Sequence, residues 1–189
     1  ERLKSDERVF FHAAATGSDT PVCLLELRPE EVEALGPAAK VRHAHLAEVR
    51  EVFQHDGVPL LVFERVHGTV LTERLRQIGK KTQVDAVGSS LLVSDALSNL
   101  HERGAVHGFL HTDSVILDPP ERLGPVLTFA SVPSDETTFH SPERGESGKP
   151  SVADDAWAAA GLLHMMLTGA PPPTDGYADD DALAEAGVE

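Results

Sequence analysis

The chain has 189 residues, 41% of them hydrophobic and 25% charged, which allows one large domain or two small lobes around a real core and argues against a disordered polymer. A formal net charge of −15 argues against a partner that is nucleic acid or an anionic membrane, and it opposes unscreened phosphate binding. The same acidity fits a soluble surface or a basic protein partner.

The single cysteine, Cys23, lies in an apolar run, so no intrachain disulfide exists and the residue reads as a small buried hydrophobe. No apolar stretch is long enough to span a membrane and no signal-peptide pattern opens the chain, which makes the expected location cytoplasmic. The chain begins at Glu1 without Met and reads as a piece of something longer.

In chain order, Val9-Phe10-Phe11 and Val22 to Leu27 read as strands around a turn at Thr16 to Pro21. Pro29 to Leu35 reads as a short helix with Pro and acids in its first turn, broken by Gly36-Pro37. Val49 to Phe53 and Pro59 to Val66 read as two strands joined by the turn Gln54-His55-Asp56-Gly57. After Gly68 the pattern turns helical. Val84, Val87, Leu91, Ala96, Leu97 and Leu100 recur mostly at helical spacing, and Gly104 is the stop. Val115-Ile116-Leu117 and Val126-Leu127 are short strands around a Pro-rich turn, and residues 131–150 read as loop. Ser151, with Asp154 three residues on, forms a capping box for a helix running to Gly169, where Ala170-Pro171-Pro172-Pro173 ends it. The rest is an acidic, Ala-rich tail or short helix.

Ten histidines raise the question of a metal site. His107 and His111 are four apart, but on a loop, where that spacing has no helical meaning. His43, His45 and His164 read as structural or surface residues, so no metal is expected.

Local motifs carry a resemblance. Leu61 to Gly68 resembles the strand and hinge between the lobes of a protein kinase, with Phe63 as gatekeeper. Leu97 to Leu117, containing His107-Gly108-Phe109, resembles the helix, catalytic loop and following strand. Ser141-Pro142-Glu143 resembles the Ala-Pro-Glu that closes the activation segment. Asp154-Asp155-Ala156-Trp157, then Gly161 and Leu167-Thr168-Gly169, resembles the central helix of the large lobe, and His43-Ala44-His45-Leu46 sits where kinases often carry His-Pro-Asn-Ile. The order and spacing of these motifs cover residues 8 to 170.

The resemblance implies an α+β, bilobal kinase-like fold of bacterial Ser/Thr-kinase type. It implies an antiparallel-sheet N-lobe over residues 1–66, a hinge at 67–70, a truncated helical C-lobe over 71–170 and a tail at 171–189.

The same alignment removes the chemistry. Phosphoryl transfer needs a glycine-rich loop, and only Gly17 precedes Val22. It needs a strand lysine, where Leu25 stands, or Glu26 with a one-residue slip. It needs a carboxylate base, where Phe109 stands, and an Asn for metal, where Ser114 stands. It needs the Asp of Asp-Phe-Gly, and Leu127-Thr128-Phe129-Ala130-Ser131 contains no acid. Magnesium prefers carboxylate oxygens.

The resemblance therefore implies a pseudokinase, a non-catalytic protein-interaction or regulatory signalling module without ATP, magnesium or other cofactor. A metal-independent nucleotide sensor or unconventional nucleotide-dependent transferase is the alternative. Phe109, Leu25 and Phe129 are expected to fill the cleft. His107, Asp155, Glu143 and Phe63 are expected to keep structural roles, Asp155 by holding the loop from below. Thr137 and Thr138, with Ser134 and Ser141, are candidate phosphorylation sites in the short activation-like loop. Asp113, beside the lost base, is read as lying beyond the loop apex.

Overall fold

The computed structural model describes residues 2–4, 9–14, 20–130, 139–147, 149–172, 184 and 187. The candidate sites Ser134, Thr137 and Thr138, most of the turn before Pro21 and the tail from Pro173 onward lie outside these, apart from Ala184 and Gly187.

The first half forms an antiparallel five-stranded sheet from β1 (Arg2–Lys4), β2 (Val9–Ala14), β3 (Pro21–Glu26), β4 (Val49–His55) and β5 (Val58–Glu64), in the order β1-β2-β3-β5-β4. The β4–β5 hairpin turns on Asp56 and Gly57 with φ of 50° and 80°, the two positive values a tight two-residue hairpin requires. On β3, Cys23 and Leu25 lie on one face, and in β5 they pair with Phe63 and Leu61. All four join the main core. Between β3 and β4 comes α1 (Pro29–Leu35), where the buried Glu31 carboxylate reaches back to accept the Arg28 N–H at 2.8 Å. Gly36-Pro37 ends the α-helix, and Gly36–Lys40 continues as a 3-10 turn.

The chain crosses between the halves at residues 65–68. Gly68 has φ +151°, and a Cβ there would lie 2.5 Å from both Ile116 Cγ2 and the Leu117 carbonyl oxygen. A small second sheet follows, made of β6 (Thr69–Val70), β7 (Val115–Leu117) and β8 (Val126–Leu127), with the helices α2 (Leu71–Ile78), α3 (Gln83–His101), α4 (Pro142–Ser147) and α5 (Val152–Thr168). Thr82 caps α3 by accepting the Asp85 N–H at 3.2 Å. The expected capping box at Ser151 is present. Its hydroxyl accepts the Asp154 N–H at 3.2 Å, and Asp154 accepts the Ser151 N–H at 2.7 Å.

The helices α3 and α5 run antiparallel. His101 meets Asp155 at one end, and the Lys81 N–H donates to the Met166 carbonyl at the other. Ala86, Val93, Leu97 and Leu100 from α3 pack with Ala158, Leu162 and Met166 from α5, and this core is continuous with the strands above.

Four local readings need correction. Residues 142–147 form a helix inside a stretch read as loop, with Pro142 at its start, where a missing N–H is tolerated. The strand read as reaching Val66 stops at Glu64, because the chain leaves the sheet to cross over. The helix α2 falls in the stretch read as helical after Gly68, whereas the short strands β1 and β6 carry too little apolar periodicity to be seen in the sequence. Architecturally the chain is α+β, an antiparallel-sheet half joined to a helical half.

Candidate functional site

Between the two sheets lies a cleft of about 310 Å³. That volume is at the lower end of the range for small-molecule sites. Cys23 of β3 forms one wall, Phe63 and Val66 lie along the crossing side, and Ile116, Thr128 and Asp113 line the helical half.

His107 organises the base of the site. It is fully buried, and its Nε2–H donates to the Thr128 carbonyl at 2.9 Å. Its Nδ1 accepts the Phe109 N–H at 3.3 Å, so the two ring nitrogens have opposite roles. Burial pulls its pKa below the usual 6.5 against the opposing pull of Asp155, which keeps the ring neutral. The Phe129 ring stacks on the His107 ring at 4.9 Å between centroids, and Phe63 meets Phe129 edge-on at 5.7 Å.

Asp155 holds the loop. One carboxylate oxygen accepts the His107 N–H at 2.8 Å and the His101 Nε2–H at 2.8 Å, and the other accepts the Gly108 N–H at 2.7 Å. These charge-assisted bonds from a buried helix residue fix the 107–109 backbone. Gly108 has φ +72°, and a Cβ there would lie 2.6 Å from Pro150, so the loop needs glycine at this point. Arg144 of α4 donates to the Gly108 carbonyl from the opposite side.

The positions that the resemblance singles out fall in and around this frame. Leu25 has no exposed surface and shares its β3 face with Cys23, which lines the cleft, whereas Glu26 lies on the opposite face. Of the two candidates, Leu25 is therefore the one on the cleft-lining face of β3. Ser114 is also fully buried. Its hydroxyl donates to the His111 carbonyl at 2.7 Å and accepts the His111 N–H at 3.0 Å, closing a one-turn 3-10 helix at Thr112–Ser114.

The expectation that Phe109, Leu25 and Phe129 fill the cleft is overturned. The cleft is open, and none of the three is among its lining residues. Leu25 and Phe129 lie wholly in the core and Phe109 almost so. Alternation along the chain after β8 turns Thr128 and Ala130 toward the cleft and Phe129 away from it. Thr128 thus occupies the step where the resemblance sets a metal-binding acid, and its hydroxyl donates to the Ser114 carbonyl at 3.2 Å. Phe63 lines the cleft. Glu143 is exposed and makes no ion pair with another described residue. Ser141 is buried and donates its hydroxyl to Asp154, so it is a structural hydroxyl.

Two features escape sequence reading. Asp113 lines the cleft rather than pointing beyond the loop. It accepts the Thr72 hydroxyl at 2.5 Å and lies 3.4 Å from His111 Nδ1. Burial pushes its carboxyl upward, but the contacts with His111 and Thr72 and the charge of Arg76 outweigh that and hold it below its usual range. Arg122, from the Pro-rich turn, reaches the Glu64 carboxylate at 2.5 Å and the Leu46 carbonyl at 3.1 Å, bracing the end of β5 against the segment before β4. Cys23 Sγ lies 3.6 Å from His12 Nδ1, and burial raises its thiol pKa to about 11, so it remains protonated. Among the described residues, no group of three His, Cys, Asp or Glu side chains is positioned to hold a metal ion, and no helix is long and apolar enough to cross a membrane.

No protein-family model matches the chain. It is similar to serine/threonine-protein kinase PkaA of Streptomyces coelicolor, with 27% identity over 170 residues covering 82% of this chain and 30% of that protein. It is also similar to serine/threonine-protein kinase PknH of Mycobacterium tuberculosis, with 26% identity over 147 residues covering 71% of this chain and 24% of that one. The chain thus spans less than a third of the length of these curated relatives. Among solved structures, it superposes on the crystal structure of Rad53 1–466 in complex with AMP-PNP with a TM-score of 0.77 at 15% identity, covering 98% of this chain and 54% of that one. The chain has the protein kinase fold, and its relatives in sequence are serine/threonine protein kinases.

Proposed function

We propose that this kinase fold is a non-catalytic binding module, a pseudokinase that serves protein interaction or regulation. The observation that carries the reading is the chemistry of the cleft walls. Leu25 stands at the strand-lysine position, Phe109 at the base, Ser114 and Thr128 at the metal-binding steps, and no glycine-rich loop precedes β3. Magnesium and a nucleoside triphosphate do not fit this set. The two hydroxyl residues offer no carboxylate, the Ser114 hydroxyl is engaged with His111, and the Thr128 hydroxyl with the Ser114 carbonyl. Losing a single preorganised electrostatic group lowers turnover by about 10²–10³, and here several are absent together. The retained frame of Asp155, His107 and Phe129 supports a role that needs the loop's shape. An acidic surface, with net charge −15, favours a basic protein partner.

The test is a phosphotransfer assay with γ-labelled ATP, with and without magnesium, scoring autophosphorylation and a generic protein substrate. The expected result is no transfer above background. Transfer that Asp113→Asn abolishes overturns the reading.

A second reading is favoured by one specific observation. The cleft is open rather than packed with apolar side chains. A metal-independent small-molecule sensor, in which a ligand in the cleft biases partner binding, is consistent with that volume.

A further inference from the structure

A second hollow, of about 370 Å³, lies at the seam between the two halves and shares no lining residue with the cleft. The segment before β4 supplies Arg42, His43, Ala44, Leu46 and Glu48, and Arg122 reaches in from the turn between β7 and β8. Two arginines therefore face a single carboxylate, which makes the hollow locally positive in a chain of net charge −15.

Neither guanidinium is fully spent. Arg42 donates through Nη1 to the Ala39 and Val41 carbonyls at 2.9 and 2.8 Å, and its Nη2 pairs with Glu48 Oε1 at 3.0 Å. Arg122 donates through Nη1 to the Leu46 carbonyl at 3.1 Å and through Nη2 to Glu64 at 2.5 Å. A guanidinium carries five N–H groups in a rigid fork. Each arginine thus keeps donors beyond these contacts, and each meets its carboxylate through one nitrogen only. His43 adds no further donor, since its Nε2 is taken by Asp95 at 3.0 Å and its Nδ1 accepts the His45 N–H at 3.2 Å.

A ligand must outdo the carboxylates already in place. Glu48 pairs with Arg42, whereas Glu64 takes Arg122 without lining the hollow. A second monoanion would replace like with like. A phosphoryl group carries nearly two negative charges at neutral pH and three acceptor oxygens, so it engages both forks at once through charge-assisted bonds. The side chains of Arg42 and Glu48 are 56% and 38% exposed, so their pairing is weak and readily displaced.

We infer that this hollow binds a phosphoryl group, held jointly by Arg42 and Arg122 with Glu48 displaced. A phosphorylated side chain of a partner protein and free phosphate share this chemistry, and the probes separate them.

Fluorescence anisotropy on the full chain follows a labelled peptide, Ala-Gly-Ala-Thr-Ala-Gly-Ala, in three forms: phosphorylated on Thr, unmodified, and with Glu in place of Thr. Sodium phosphate competes against the first. The phosphopeptide is expected to bind at least about tenfold more tightly than the other two. Lowering the pH from about 7.5 to about 5, through the second phosphate ionisation, is expected to weaken it. Arg42→Gln is expected to abolish the preference, and its exposed position leaves the core untouched. Arg122→Lys, which keeps the charge and removes the fork, is expected to weaken phosphopeptide binding at least about fivefold. Arg74→Gln, at an arginine paired with Asp118 outside the hollow, is expected to change nothing. Circular dichroism and thermal melting establish that the variants fold.

Displacement by sodium phosphate near the phosphopeptide's own dissociation constant supports the site with free phosphate as its ligand. Displacement only at far higher concentration supports it with a phosphorylated partner. Equal binding of the Glu peptide overturns the inference, and so does a preference that survives both Arg42→Gln and Arg122→Lys. Absence of binding by phosphopeptide and phosphate alike also overturns it. The non-catalytic reading is judged separately, by the phosphotransfer assay.

Discussion

At the scale of the residue, His107 and Asp155 explain how the 107–109 loop keeps its shape. Asp155 accepts three hydrogen bonds, two of them from backbone N–H groups of residues 107 and 108. Removing a buried acceptor leaves each of its buried donors unsatisfied at a cost of about 1–3 kcal/mol. The fold therefore has strong physical reason to retain Asp155 whatever residue stands at position 109. His107 makes a pH prediction. Its folded-state pKa lies below the ordinary 6.5, so the unfolded chain binds the proton more readily. Its contribution to stability is complete above pH 6.5 and is lost as pH falls below that value toward the folded pKa. Urea unfolding from about pH 7.5 down to about pH 5.5 is expected to show falling stability. His107→Gln is expected to be less stable at neutral pH and to lose that part of the slope. An unchanged slope in the variant shows that the imidazole is not buried as a neutral ring.

At the scale of the element, the crossing at Gly68 is the point where local backbone and tertiary contact meet. Its φ of +151°, and the 2.5 Å that would separate a Cβ at this position from a backbone oxygen, leave no relaxed place for a side chain. Gly68→Ala is expected to destabilise the fold by more than about 2 kcal/mol, measured as a shift in urea midpoint at unchanged slope. The neighbouring elements were legible in the sequence to different degrees. The Asp56-Gly57 hairpin, the break at Gly36-Pro37 and the Ser151 capping box all form where the residues predict them, because each is specified within a few residues of itself. The helix α2 falls in the stretch read as helical after Gly68, with Leu71, Leu75 and Ile78 at i, i+4 and i+7. The helix α4 was hidden by the loop-like composition around Pro142.

At the scale of the molecule, the lobes share one apolar core. Leu25, Leu61 and Phe63 from the sheet belong to the same cluster as Phe129, Leu100 and Leu162 from the helical half. Arg122 adds a polar brace between the Pro-rich turn and β5. A continuous core predicts one cooperative unfolding event rather than two. Far-UV circular dichroism and Trp157 fluorescence are expected to report coincident denaturant transitions; separated midpoints rule out that coupling. The same continuity accounts for the open cleft. Phe129 is drawn into the core by His107 and Phe63, so its ring is unavailable to close the site.

The amino-acid sequence by itself determined the kinase-like order of motifs, the Ser151 capping box and the tight turns. These depend on residue identity and short-range spacing, which a linear reading holds in full. Only the tertiary structure decided that Leu25 rather than Glu26 shares the face of Cys23, because a one-residue shift exchanges the two faces of a strand. It alone decided that Phe109 and Phe129 sit in the core, that Asp113 faces the cleft and that Arg122 reaches Glu64. Each of these depends on contacts between residues far apart in the chain, as with the 58 positions separating Arg122 from Glu64. Local propensity carries no information about such contacts, and it is they that leave the cleft an open space lined by Asp113.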